Sequence, residues 1–166
     1  HMRAHIPMML VGLLLFGSAA STKRLTDIER DHYQALRVWM SEDQNKAYLK
    51  LKTEEERNQY LKDQGLWERF YQYEDFMREK ILLGEIEVGW TQDMVFMSYG
   101  QPFKKKRLTG RPAARSELFV YRMEVSPDGA HMPWIPGSKT TYKAVDKYEI
   151  QIYVDDETVT EIQQKK

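Results

Sequence analysis

Apolar residues recur every three or four positions through the first half of this chain and every second position near its end. Leu25, Ile28, His32, Leu36 and Trp39 make one stripe at helical spacing. Thr26-Asp27-Ile28-Glu29 in front of it is a capping box, in which the Thr hydroxyl and the Glu carboxylate satisfy each other's orphan backbone N–H groups. Ser41-Glu42-Asp43-Gln44 is a second box and leads to Ala47, Tyr48 and Leu51. Thr53-Glu54-Glu55-Glu56 is a third, with three carboxylates where the helix dipole favours negative charge. The spacing after it predicts one long helix from about Glu54 to Leu83. Leu66, Phe70, Tyr73 and Met77 share a face, and Gly84 is the stop.

The pattern then changes. Thr91 is positioned to cap a short helix through Met94, Val95 and Tyr99; Gly100 ends it and Pro102 blocks continuation. Leu118 to Val125 alternates as a strand, and Ser126 to Lys139 reads as a loop rich in proline and glycine. Tyr142 to Val154 is a second strand, in which Tyr148, Ile150, Ile152 and Val154 alternate with Glu149, Gln151 and Tyr153. Asp155-Asp156-Glu157 is a turn, and Thr158 to Ile162 a third strand. The expected class is α+β: N-terminal helices, then a short helix and a three-stranded antiparallel sheet, one face packed on helix and one wet.

The N-terminus does not belong to this pattern. His1-Met2 reads as a cloning remnant, Arg3 as a positive start, Met8 to Phe16 as an apolar run, and Gly17-Ser18-Ala19-Ala20 as a small-residue cleavage site. That order is a secretory signal, and the run is too short to span a bilayer, which takes about 20 residues. Bacterial lipoprotein signals place a lipidated Cys after such small residues, so Ser21 is the lipidation position if the native residue there is Cys. The expected organisation is a signal segment over 1–20, a helical region over 22–85 and a small α+β domain over 86–166.

Composition narrows the chemistry. The chain has 166 residues, 25 Lys+Arg against 25 Asp+Glu, and no cysteine. Zero formal charge gives no global pull toward nucleic acid, and the absence of cysteine excludes disulfides and thiolate metal sites. His1 and His5 belong to the remnant and signal. His32 and His131 stand apart, with no HExxH spacing, no GxSxG, no phosphate loop and no dinucleotide fingerprint. No catalytic residue, metal or cofactor is expected. His32, on an apolar stripe, is better read as a hydrogen-bonded core residue than as a ligand or general base. Glu54, Glu55 and Glu56 point in successive directions around a helix and do not converge on a substrate.

Candidate binding residues remain. Trp67, Phe70, Tyr71, Tyr73 and Phe76 spread over a wide arc of their helix, more than one neighbouring layer covers. Trp134 sits in Pro133-Trp134-Ile135-Pro136, where a tryptophan either folds back on the sheet or anchors a partner. Trp67, Phe70, Trp90 and Trp134 are therefore the candidate partner-binding set. Lys104, Lys105, Lys106 and Arg107, followed by Arg111 and Arg115, form a basic stretch. It reads as a solvated loop or as a contact for lipid headgroups or other anions.

Two resemblances bear on function. Val88-Gly89-Trp90-Thr91, Val95, Gly100-Gln101-Pro102, Phe119-Val120-Tyr121, Ile150-Gln151-Ile152-Tyr153-Val154-Asp155-Asp156 and Val159-Thr160-Glu161-Ile162 resemble the SmpA/OmlA (BamE-like) outer-membrane lipoproteins. Ala47 to Arg57, Leu66-Trp67-Glu68-Arg69-Phe70, Gly89-Trp90-Thr91-Gln92-Asp93 and Tyr99-Gly100-Gln101-Pro102 resemble the exported GWxTD domain; here the Thr comes one place early, and Arg69-Phe70 stands where Arg-Asp is usual. The resemblances imply a non-enzymatic periplasmic protein, attached to the outer membrane through an N-terminal lipid, that binds subunits of an envelope protein complex and no nucleic acid. A periplasmic carrier of a small molecule or lipid, and a carboxylate-based hydrolase, are the alternatives.

Overall fold

The computed structural model describes residues 24–135 and 142–166. The signal and lipidation readings, Ser21 included, lie outside the described residues. Among the described residues, six α-helices precede an antiparallel sheet. They are α1 (Asp27–Leu36), α2 (Glu42–Lys50), α3 (Glu54–Asp63), α4 (Trp67–Tyr71), α5 (Asp75–Leu83) and α6 (Gln92–Tyr99), with a 3-10 turn at Arg37–Trp39. The strands are β1 (Lys104–Leu108), β2 (Ser116–Val125), β3 (His131–Pro133), β4 (Asp146–Asp155) and β5 (Thr158–Lys165). Sheet order is β1-β2-β4-β5, and β3 pairs the far end of β2 on the edge that β1 uses.

The three predicted capping boxes form, at Thr26, Ser41 and Thr53, and the predicted N-cap Thr91 forms a fourth with Met94. The long helix over 54–83 does not: it is three helices. α3 ends at Gly65, whose φ of +70° leaves the right-handed helical region, and α5 starts afresh after Glu74, whose backbone is extended. The breaks let Leu61, Phe70 and Ile81 all reach one core, which a straight rod could not do.

The sheet has five strands, not three. The basic stretch at 104–108 is strand β1, not a loop. It shows no apolar alternation because it is an edge strand, and lysines on an edge discourage further pairing. β3 is a three-residue strand inside the segment read as a loop, and β4 begins at Asp146 instead of Tyr142. β2 and β4 turn Phe119, Tyr121, Met123, Tyr148, Ile150, Ile152 and Val154 toward the helices, all at most 5% exposed. α6 lies on this face, with Phe96 stacked on Phe119 at 5.3 Å and Tyr99 edge-on to Tyr121 at 5.3 Å. One apolar core runs from Leu25 through Val159.

The buried face of α1 differs from the predicted stripe by one residue. Ile28 is 51% exposed, and the neighbouring Glu29 is fully buried. Glu29 receives the Nε and Nη2 of Arg57 from α3, the latter at 3.0 Å, and Arg57 Nη1 donates to Leu51 O at 2.7 Å. Burial alone would raise the Glu29 pKa. The Arg57 guanidinium and the Thr26 N–H outweigh it and hold the carboxyl below its ordinary value. The capping residue of one helix thus also clamps that helix to another.

Candidate binding groove

An open groove of about 760 Å³ lies between the helical layer and the sheet end. α1, the 3-10 turn and α2 supply one wall through Tyr33, Val38 and Leu49. The last turn of α6, with Met97 and Tyr99, and the following Gly100-Gln101-Pro102 supply the other; Pro133 and Ile135 close one end. The walls come from four separate stretches of sequence and are predominantly apolar.

Local chemistry fixes each wall. Tyr33 stacks almost parallel on Tyr48, ring centroids 5.9 Å apart, and the Arg37 guanidinium lies 6.0 Å from the Tyr33 ring. Burial pulls the Arg37 pKa down, and the neighbouring Tyr33 opposes that. Asn45 ties the start of α2 to the preceding chain by donating to Met40 O and Ser41 O, at 3.4 and 3.1 Å. On the far side, Tyr121 Oη donates to Gly100 O at 2.7 Å and Tyr99 Oη to Gly84 O at 3.3 Å; burial raises both tyrosine pKa values. Gly100 has φ +76° and ψ −161°, a region open essentially only to glycine, and this turns the chain out of α6 to form the groove lip. Polar groups sit at the rim, where Lys46 and Glu42 pair at 3.0 Å. Ser98 borders the groove with its hydroxyl sealed from solvent and without a hydrogen-bond partner.

The predicted site residues do not come together. Trp90 and Phe70 are each 3% exposed and belong to the core, so neither offers a surface to a partner. Their aromatic character, taken as a binding signal, serves helix and sheet packing. Trp67 is half-buried, stacked on Tyr71 at 4.3 Å and covered by Lys62 Nζ at 4.8 Å. Trp134 is folded back: its ring lies 5.7 Å from Phe103, its backbone N–H donates to Arg122 O at 2.7 Å, and Arg122 covers Phe103 at 3.8 Å. It keeps one open side, on a second hollow of about 610 Å³ with Arg122, Lys147, Lys165 and Lys166. Because β1 is a strand, its cations alternate between faces. Lys105 lies on the inner side with its Nζ 4.9 Å from the Phe96 ring, and Lys104 and Lys106 take the outer side, so the four charges do not form one plate.

His32 is buried, sharing a hydrogen bond between Nε2 and Tyr71 Oη and ringed by Trp67 and Phe70. Burial lowers its pKa to about 4, so it is neutral at pH 7. His131 Nδ1 meets Tyr148 Oη at 2.7 Å. Among the described residues no group of three or more His, Cys, Asp or Glu side chains is placed to hold a metal ion. No protein-family model, no curated protein and no solved structure matches this chain.

Proposed function

We propose that this chain is a non-enzymatic cell-envelope protein that binds another envelope protein, taking an apolar segment of its partner into the groove between α2 and α6. One observation carries the reading: the groove is open to solvent and predominantly apolar on both walls, with the Glu42–Lys46 pair at its rim and the Arg37 guanidinium set against Tyr33 on one wall. An amphipathic segment presents that distribution, an apolar stripe inward and polar groups outward. Attachment to the outer membrane through an N-terminal lipid belongs to the same proposal and draws on the leader-like sequence at the start of the chain. No helix among the described residues is long and apolar enough to cross a membrane.

The test is affinity purification of the native-length protein from detergent-solubilised envelopes, wild type beside Leu49→Glu. Leu49 is half-buried on the groove wall, so a carboxylate there meets solvent in the free protein and an apolar surface in the complex. A stoichiometric partner that is lost with Leu49→Glu supports the proposal; a partner retained by the variant refutes the groove as its site. A second reading, a carrier of a lipid or small molecule, is favoured by volume, since 760 Å³ falls inside the range of small-ligand pockets, about 300–1,000 Å³. Co-purifying lipid displaced by the same variant would select it.

A further inference from the structure

The sheet ends on β5, and half of that strand's outer edge is already used. Val159 exchanges backbone hydrogen bonds with Gly89 and Trp90, both at 2.8 Å, and Thr91 bridges Thr158. Beyond Val159 no described residue pairs with the outer edge of β5.

Which groups that free edge presents follows from the hairpin. Asp156 and Glu157 form a two-residue turn with φ of +46° and +67°, which makes Asp155 and Thr158 a hydrogen-bonded pair. Alternation along β4 then directs the backbone of Tyr153, Gln151 and Glu149 toward β5. Their partners Glu161, Gln163 and Lys165 are engaged inward, and Ile162 and Gln164 point their N–H and C=O outward. The outward bonds of Val159 agree with this phase because the ladder slips by one residue between Val154 and Tyr153, with Thr160 the extra residue on β5.

We propose that this edge is a homodimer interface, in which β5 of a second copy pairs antiparallel about a two-fold axis through Gln163. In that register Ile162 and Gln164 of each copy exchange four backbone hydrogen bonds across the axis. Glu161 faces Lys165 of the other copy twice, and the two Gln163 amides meet. Those three residues share the outer sheet face, and Glu161 and Lys165 fall at non-hydrogen-bonded positions, where opposed side chains lie closest. Both charges are exposed, and among the described residues neither makes an ion pair. The Glu161 carboxylate accepts only from Gln163 Nε2, at 2.7 Å. The pairing starts beyond Val159 and leaves its bonds to Gly89 and Trp90 undisturbed. The edge is thus self-complementary in backbone phase and charge.

Sedimentation of the purified chain, at loadings up to about 1 mM, tests this. A dimer is expected. Glu161→Lys sets like charges opposite each other twice and should weaken it about tenfold or more. Glu161→Lys combined with Lys165→Glu restores the complementarity and should restore the dimer. Gln164→Pro removes an outward N–H while leaving the β4–β5 ladder intact, and should abolish dimerisation at an unchanged melting temperature. A wild-type chain that stays monomeric throughout, a dimer indifferent to Glu161→Lys, or a charge-swapped double variant that stays monomeric overturns the proposal.

Discussion

Replacing Arg57 by Met removes the partner of a fully buried carboxylate. Glu29 loses both guanidinium donors and keeps only the N–H and hydroxyl of Thr26, at 3.2 and 3.1 Å. Leu51 O also loses its donor at 2.7 Å. Breaking a buried pair from one side costs about 3–5 kcal/mol, because an uncompensated charge stays behind. Against a typical folding stability of about 5–15 kcal/mol this is a large fraction. The loss must also depend on pH. In the wild type the Glu29 pKa is depressed, so its contribution is present above the ordinary carboxylate value and fades as pH falls through the folded value. Without Arg57, burial prevails and the folded pKa rises above the unfolded one, so the variant loses stability as pH increases past the ordinary value. The gap between the proteins should therefore widen from pH 4 to pH 7. Urea unfolding followed by circular dichroism at both pH values measures it. Glu29→Gln combined with Arg57→Met should recover much of the loss at pH 7, since no buried charge remains. A cost below about 1 kcal/mol that is the same at both pH values refutes the reasoning.

Three further outcomes follow from the same geometry. His32 keeps a native pKa of about 4 against an unfolded value near 6.5. Stability is therefore full above pH 6.5 and falls on the order of 3 kcal/mol as pH drops to 4; His32→Phe should flatten that slope in acid unfolding curves. Gly100→Ala and Gly100→Asn should each cost about 1–3 kcal/mol in thermal melts. A Cβ there meets nothing within 4 Å, so the penalty is backbone strain and side-chain size should hardly alter it. Ser98→Ala deletes a sealed hydroxyl without a partner and raises helix propensity, so the melting temperature should hold or rise by the equivalent of up to about 1 kcal/mol; a clear drop would reveal a hydrogen bond absent from this structure.

Local signals in the sequence suffice where the physics is local. A cap needs only a hydroxyl and the N–H three residues on, and the three boxes and the Thr91 cap all form. The alternation of Tyr148 to Val154 gave β4 because one side of that strand is dry and the other wet. β1 escaped because an edge strand of lysines carries no such contrast, and β3 because three residues are too few to show a period. The break at Gly65 is hidden in the sequence because the apolar spacing continues across it. Glu29 was legible as a cap but not as half of an ion pair, since its partner lies 28 residues away on another helix. The groove was invisible for the same reason: Tyr33, Leu49, Met97 and Pro133 share no local pattern. Aromatic content pointed to Trp90 and Phe70, yet large aromatics signal burial at least as strongly as binding.

The groove is the centre of the functional account, and site-specific photocross-linking in intact cells tests it most directly. A photoreactive residue at Leu49 lies on the groove wall; one at Glu55 lies on an exposed turn of α3 away from it. One discrete cross-linked envelope protein is expected from position 49 and none from position 55. No adduct from 49, or the same adduct from both positions, would contradict the groove as the binding site.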